Sequence, residues 1–503
     1  MPTSSVAPVP PWRASDSATK DKIPPVSDSV TLPFWLAAVL AAAAAWLLLE
    51  RLLVPSVRWV LRRRVNRVLD EVDRRLAIRV QPFKLTRRRT LIDRLMYDSE
   101  VQEAAQAFGE EHDMPREVVM QKVGVYAREI VPAFNAYVYF RLGYWLARRT
   151  ARTLFRVRLG YSNEEELAAI EPDSTVVFVM NHRSNMDYVL ISYLAAERTA
   201  LSYAVGEWAR IFPLESLVRS MGAYFVRRRS HNDLYRKVLA RYVAMATREG
   251  VTQAVYPEGQ LSRDGRVAEP KLGLLDYMLR SFDPAGRRDL VFVPVALNYD
   301  RVLEDRTLLL DVEPEARRRR GLAAVWTTWT FFWRNFGLWV RGQWHRFGYA
   351  CVNFGSPLSL KTYLGERGLD LRQLDRRERF GEVAVLAREL LDRVGRVMPV
   401  VPVALVAAVL AARPGRRWTR LELKAAVARQ MAELADAGAH VYVPRRDDDY
   451  TIDVGLRMLV LRRILVERDG LLEVPVTERP IVSYYARSIE HLGTEPEPLT
   501  ATG

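Results

Sequence analysis

Ser174-Thr175-Val176-Val177-Phe178-Val179-Met180 runs without a break into Asn181-His182-Arg183-Ser184-Asn185-Met186-Asp187. The first half is rich in β-branched and large apolar residues and reads as a buried strand. Asn181 ends it, and Met186 to Tyr193 starts a helix. A strand passing into a helix through a short turn is half of a β-α-β unit. The pattern repeats downstream in Gly222 to Val226, Gln253 to Tyr256 and Leu290 to Leu297, with a helix from Ser230 to Arg248 between them. A last strand is expected at Tyr349 to Phe354, with Gly355-Ser356-Pro357 as its turn. Strands alternating with helices predict an α/β fold with a central, mainly parallel sheet flanked by helices. Ligands of such sheets bind beyond the carboxyl ends of the strands.

Around this core the chain of 503 residues divides by composition. Residues 1–30 are rich in Pro, Ser and Asp and read as a disordered tail. Within 31–55, the uncharged run Thr31 to Leu49 is long enough for one transmembrane helix. Arg51, Arg58, Arg62, Arg63, Arg64 and Arg67 follow it, against only Arg13, Lys20 and Lys22 before it. The positive-inside rule then places everything after residue 55 in the cytoplasm, with the basic cluster near anionic headgroups. Residues 56–160 form a helical region: Val101 to Phe108 and Ile130 to Leu146 have helical spacing, and Asp113 with Pro115 reads as a helix start. The α/β region spans 161–365, and 366–503 return to helix. There Met398 to Leu410 is an apolar helix, in the core or at an interface, that begins after Pro399 and Pro402. Trp326 to Trp344 interleaves aromatic residues with Arg334 and Arg341, and reads as a docking surface, a wall of a chain entrance, or a core stripe.

The formal net charge is +15. That implies anionic partners: phosphorylated substrates, anionic lipid or nucleic acid. No zinc-finger spacing, RNA-binding signature or basic helix fused to heptads is present, so nucleic acid is the weaker choice. The one cysteine, Cys351, rules out an internal disulfide and a cysteine-based metal site, and reads as a small buried hydrophobe.

Four motifs fall at strand ends. His182 and Asp187 are five apart, so the loop must fold back for the carboxylate to meet the imidazole; the other ring nitrogen is then a base toward a hydroxyl. Taken alone, the pair reads first as a capping Asp and an unrelated loop His. Tyr256-Pro257-Glu258-Gly259-Gln260-Leu261-Ser262-Arg263 follows a strand. Its Gly259 turn can present amides to a phosphate or oxyanion, Glu258 can bind hydroxyls or orient a base, and Arg263 can hold phosphate. Met221 to Arg229 is a strand ending in Arg227, Arg228 and Arg229. Val293 to Val302 is a strand whose polar end can line the same crevice.

Order and placement together resemble the glycerol-3-phosphate acyltransferase family, whose blocks His-Arg-Ser-x-x-Asp, Gly-x-x-Phe-x-Arg-Arg, Glu-Gly-x-x-Ser-Arg and Val-Pro-Val-x-x-x-Tyr recur in this order. Gly265 to Gly273, Val352 to Pro357 and Ser483 to Ile489 are similar to later family segments, so the likeness covers roughly residues 80 to 495. It implies that 161–365 is the catalytic domain, with His182 as general base and Asp187 as its partner. It implies acceptor binding by Arg227, Arg228, Glu258, Gly259, Ser262 and Arg263, with Lys271 as a further phosphate contact. The implied reaction moves a fatty acyl group from a thioester on coenzyme A or acyl carrier protein to the sn-1 hydroxyl of glycerol-3-phosphate, in phospholipid synthesis, with no metal or other cofactor. The implied location is a bacterial inner membrane, catalytic domain on the cytoplasmic face, against membrane lipid. Leu261 departs from the pattern: the family usually has Arg just before the Ser of the third block. Lysophosphatidate and dihydroxyacetone phosphate are therefore alternative acceptors, and a basic membrane or nucleic-acid binder is the non-enzymatic alternative.

Overall fold

The computed structural model describes residues 81–195, 199–206, 209–210, 214–227, 232–310 and 347–493. The expectations for the tail, the 31–55 span, Arg228 and the Trp326 to Trp344 segment lie outside these residues. Among the described residues no helix is long and apolar enough to cross a membrane.

The described chain opens with helices α1 (Arg88–Met96), α2 (Ser99–Glu111) and α3 (Arg116–Ile130), then a π-helical turn (Val138–Gly143) that runs into α4 (Tyr144–Leu154). Two details differ from expectation. Asp113 does not cap α3: it sits at φ +49 and the N-cap is Pro115, without a side-chain bond. Ile130 to Leu146 is not one helix, because α3 stops at Ile130 ahead of Pro132, which has no N–H for the ladder.

The sheet begins at β1 (Arg156–Ser162), ahead of the change expected at 161. It continues through β2 (Thr175–Met180), β3 (Ser202–Val205), β4 (Tyr224–Phe225), β5 (Gln253–Val255), β6 (Leu290–Tyr299), β7 (Tyr349–Phe354) and β8 (Leu358–Ser359). The strand order is β1-β7-β6-β2-β5-β3-β4, with β8 on β6. The run from β6 to β4 is parallel throughout, while β7 and β8 lie antiparallel to β6. Between the strands lie α5 (Met186–Ala195), α6 (Leu214–Ser220), α7 (Asp233–Arg248), α8 (Gly273–Leu279) and α9 (Asp305–Leu310). After the sheet come α10 (Leu360–Arg367), α11 (Arg376–Arg396), α12 (Pro402–Ala412), α13 (Arg420–Asp436), α14 (Asp448–Leu461) and α15 (Arg479–Ala486). A hairpin, β9 (Val466–Arg468) with β10 (Leu471–Glu473), interrupts the region read as helical.

Alternation along β6 explains the layers. Val293, Val295, Leu297 and Tyr299 enter one core with α5, α12 and α15. Phe292 and Ala296 enter a second core with α1 to α3, α7, α8 and α11. Every residue of β6 is buried, as a central strand covered on both faces must be. α12 is buried on nearly all sides and starts with Pro402 in its first turn, so the apolar run is a core helix. Asp300, just after β6, ties the layers together: its carboxylate accepts the amides of Tyr349 (2.7 Å) and Val403 (2.9 Å), the latter in the first turn of α12. Cys351 is fully buried, and burial pushes its thiol well up.

Candidate active site

β2 ends at Met180 and α5 begins at Met186, so the five residues between must turn back on themselves. Asn181 steadies the turn by extending the sheet: its side chain donates to the Leu297 carbonyl (2.9 Å) and accepts from the Leu297 amide (2.8 Å). Asp187 lies in the first turn of α5, fully buried. Its Oδ2 accepts from the Arg183 amide (2.8 Å), the Ser184 amide (3.0 Å) and His182 Nδ1 (2.9 Å). The Tyr299 hydroxyl donates to the other oxygen. Burial, then Asp187, holds the Tyr299 hydroxyl well above its ordinary pKa, so it remains a donor. The predicted fold-back of His182 onto Asp187 is therefore present. With Nδ1 donating to a carboxylate, the neutral imidazole keeps its lone pair on Nε2.

That Nε2 is buried and has no hydrogen-bond partner among the described residues. The Tyr256 hydroxyl is in the same condition, and the Tyr256 ring lies against the imidazole at 4.3 Å between centroids. Both residues flank a cavity of about 660 Å³ at the carboxyl end of the sheet. Buried polar atoms without partners cost about 1–3 kcal/mol each, which a ligand in the cavity would recover.

The loop after β5 is positioned by its own buried groups. Glu258 is 1% exposed, and both of its oxygens serve backbone: one accepts the His182 amide (2.7 Å), the other the Ala268 amide (2.9 Å). Ser262 binds the Arg266 carbonyl and accepts the Gly265 amide, while its own amide donates to the His182 carbonyl. Glu258 and Ser262 thus brace the two loops against each other behind the cavity. Gly259, at φ +64, and Lys271 reach the cavity wall, and a Cβ on Gly259 would meet Lys271 at 2.8 Å. Arg263 is exposed and away from the wall. Leu261 is half-buried against the core, so the place of the missing arginine offers no cation. Arg227 reaches the wall from the end of edge strand β4, its guanidinium held by Glu129 at 2.9 and 2.6 Å.

Sequence reasoning missed two groups. Glu304 accepts the Ser184 hydroxyl (2.7 Å) and the Asn185 amide (3.2 Å) and side chain (3.0 Å), and no motif announced it. Tyr299 stood in the fourth block without an assigned role. The far wall carries further cations from three helices: Arg236 on α7, Arg280 after α8, and Arg376 and Arg379 on α11. Arg280 and Arg379 share buried Asp276, whereas Arg376 makes no ion pair with a described residue. Among the described residues no cluster of His, Cys and carboxylate side chains is placed to hold a metal ion.

Burial raises the Glu258 carboxyl from 4.5 to about 7, against the pull of its two amide donors. The folded state therefore holds this proton more tightly than the unfolded chain. The resulting stabilisation is complete below pH 4.5 and disappears as pH rises through 7; it amounts to about 3 kcal/mol. Denaturant titrations of the wild type and Glu258→Gln should show the wild type's relative stability falling between pH 5 and pH 8. Parallel pH dependence in the two proteins would contradict this.

Gly265, at φ +95, approaches the Tyr484 carbonyl of α15 so closely that a Cβ would stand 1.9 Å from it. Beside it Arg183 donates to the Gly265 carbonyl (2.7 Å) and lies over the Tyr484 ring. Gly265→Ala must separate two backbones and strain φ as well, so a loss of about 3 kcal/mol is expected in thermal or urea unfolding.

A family model described as Acyltransferase matches residues 158–298, and one described as Glycerol-3-phosphate acyltransferase C-terminal region matches residues 338–496. Both matches are to acyltransferase models, and the chain is similar to curated glycerol-3-phosphate acyltransferases. These include the glycerol-3-phosphate acyltransferase of Pseudomonas entomophila (strain L48), 29% identical over 61% of this chain and 36% of that protein. That of Pseudomonas paraeruginosa (strain DSM 24068 / PA7) is 31% identical over 62% of this chain and 36% of that protein. The chain thus spans about a third of the length of the curated relatives it matches. A 1-acyl-sn-glycerophosphate (LPA) acyltransferase, PlsC, from Thermotoga maritima is 17% identical, covering 50% of this chain and 78% of its own, with a TM-score of 0.29. The first family match runs from β1 into β6 and takes in His182, Asp187, Arg227 and the Glu258 turn. Tyr299 and Glu304, which brace the His182 to Asp187 loop, fall between the two matched stretches.

Proposed function

We propose that this protein transfers a fatty acyl group from a thioester donor, acyl-coenzyme A or acyl carrier protein, to the sn-1 hydroxyl of glycerol-3-phosphate. The observation that carries the reading is His182: Nδ1 donates to Asp187, and Nε2 is unpartnered at the wall of a cavity rich in cations. His182 takes the hydroxyl proton on Nε2 as that oxygen attacks the thioester carbonyl. The tetrahedral intermediate collapses by breaking the C–S bond, and the imidazolium returns the proton to the departing sulfur. Asp187 stabilises the imidazolium between the two steps. Arg227 and Lys271, with Arg376 on the far wall, supply the positive field for phosphate. Asp187, Glu258 and Ser262 act through the histidine and its loop. No metal or covalent enzyme intermediate enters this scheme.

The same proposal places the protein at the bacterial inner membrane, anchored by 31–55 with the catalytic domain on the cytoplasmic face. Its support is the length of the apolar run and the arginines after it. The acceptor is tested by assaying purified protein with one acyl donor against glycerol-3-phosphate, lysophosphatidate and dihydroxyacetone phosphate. Preferential glycerol-3-phosphate acylation supports the reading. Preference for lysophosphatidate would replace it.

A further inference from the structure

From Val138 to Leu154 the chain contains four arginines and no carboxylate. It forms the π-helical turn and α4 as one continuous helical element. One side is small and buried: Gly143, Ala147 and Ala151 face inward, and α4 packs on α5, the helix that carries Asp187. The outward side presents Leu142 (48% exposed), Trp145 (56%) and Leu146 (39%) among exposed Arg141, Arg148, Arg149 and Arg152. Arg152 bonds the Tyr193 hydroxyl. Arg141, Arg148 and Arg149 make no ion pair with a described residue. Such a face is costly in water, because a tryptophan and two leucines stay hydrated while no described carboxylate neutralises the three guanidinium groups.

We propose that this face docks on an anionic lipid bilayer. Helices that lie in the headgroup plane combine these elements: leucine and tryptophan reaching the acyl boundary, and arginines beside lipid phosphates. Charge complementarity selects the occupant. A second copy of the chain meeting the face symmetrically would set arginine against arginine. Nucleic acid would satisfy the arginines but leave Leu142 and Leu146 without an apolar partner. The docking face is formed by residues 138–154 and does not depend on acyl transfer. It places the bilayer on the α5 side of the catalytic loop.

The test uses the full chain. Cys351 is fully buried, so Leu146→Cys supplies a single accessible thiol for a polarity-sensitive fluorophore. On vesicles of phosphatidylcholine containing one-third phosphatidylglycerol, the probe should shift to the blue and be quenched by lipids spin-labelled on the acyl chain. Pure phosphatidylcholine vesicles should give little of either. Each arginine near an anionic surface strengthens binding roughly fivefold, so Arg148→Glu with Arg149→Glu should weaken the probe response more than tenfold. A probe that stays in water while the protein sediments with the vesicles would overturn the proposal, since the membrane would then be held elsewhere. So would a blue shift without vesicles that grows with protein concentration, or one driven by RNA.

Discussion

His182→Ala should lower kcat for acyl transfer by about 10³–10⁴-fold and leave the fold standing. The substitution removes the group that the site offers as a base toward the acceptor hydroxyl. Cavity, cations and loop braces remain, so donor and acceptor KM values should change little. Stability should fall without unfolding the protein. Asp187 keeps the amides of Arg183 and Ser184 and the Tyr299 hydroxyl. The lost imidazole carried one unpartnered buried nitrogen, whose penalty vanishes with it. The cavity left between Tyr188 and Tyr256 limits the cost to about 2 kcal/mol. Steady-state kinetics together with a thermal melt decide the matter. Turnover near that of the wild type would remove His182 from the mechanism.

Asp187→Ala should be worse in a second respect. Catalysis should fall by a similar factor, because nothing then fixes the imidazole or balances its charge. The protein should also lose about 3–5 kcal/mol, because two backbone amides, a phenol and an imidazole N–H would all point at a void inside the molecule. Asp187→Asn separates the two effects. Three donors converge on Oδ2, which forces the amide oxygen to that side, and the Tyr299 hydroxyl can rotate to accept from the amide nitrogen. Ring orientation is thus preserved and only the negative charge is lost. The asparagine variant should fold nearly as well as wild type and lose about 10²-fold in kcat. Equal unfolding free energies for the alanine and asparagine variants would show that the donors at Asp187 are not what secures the loop.

What the sequence revealed follows from how each element is buried. β2, β6 and β7 were legible because buried central strands need long apolar runs. β1 was not, because it is an edge strand whose residues are largely exposed and polar. β3 has four residues, too few to carry a period, whereas β4 falls within the strand expected at Gly222 to Val226. At the site, His182 and Asp187 were readable since five residues join them. Glu258 and Ser262 were found for their residue types, but no local pattern could say that their side chains face backbone rather than cavity. Glu304 is 120 residues from the Ser184 hydroxyl it holds, and Arg236, Arg280 and Arg376 each look like ordinary surface charge until three helices bring them to one wall.

The join between the catalytic loops and the end of the described chain has a consequence for synthesis. The Tyr485 hydroxyl accepts the Val302 amide from 183 residues away, Ser488 meets Asn298 from 190, and Gly265 packs on the Tyr484 backbone. A nascent chain therefore cannot complete these loops until residues near 489 have cleared the ribosome, so the site matures after translation of the region rather than during it. A message cut short before α15 yields a polypeptide that holds every catalytic side chain and lacks the segment that seats them.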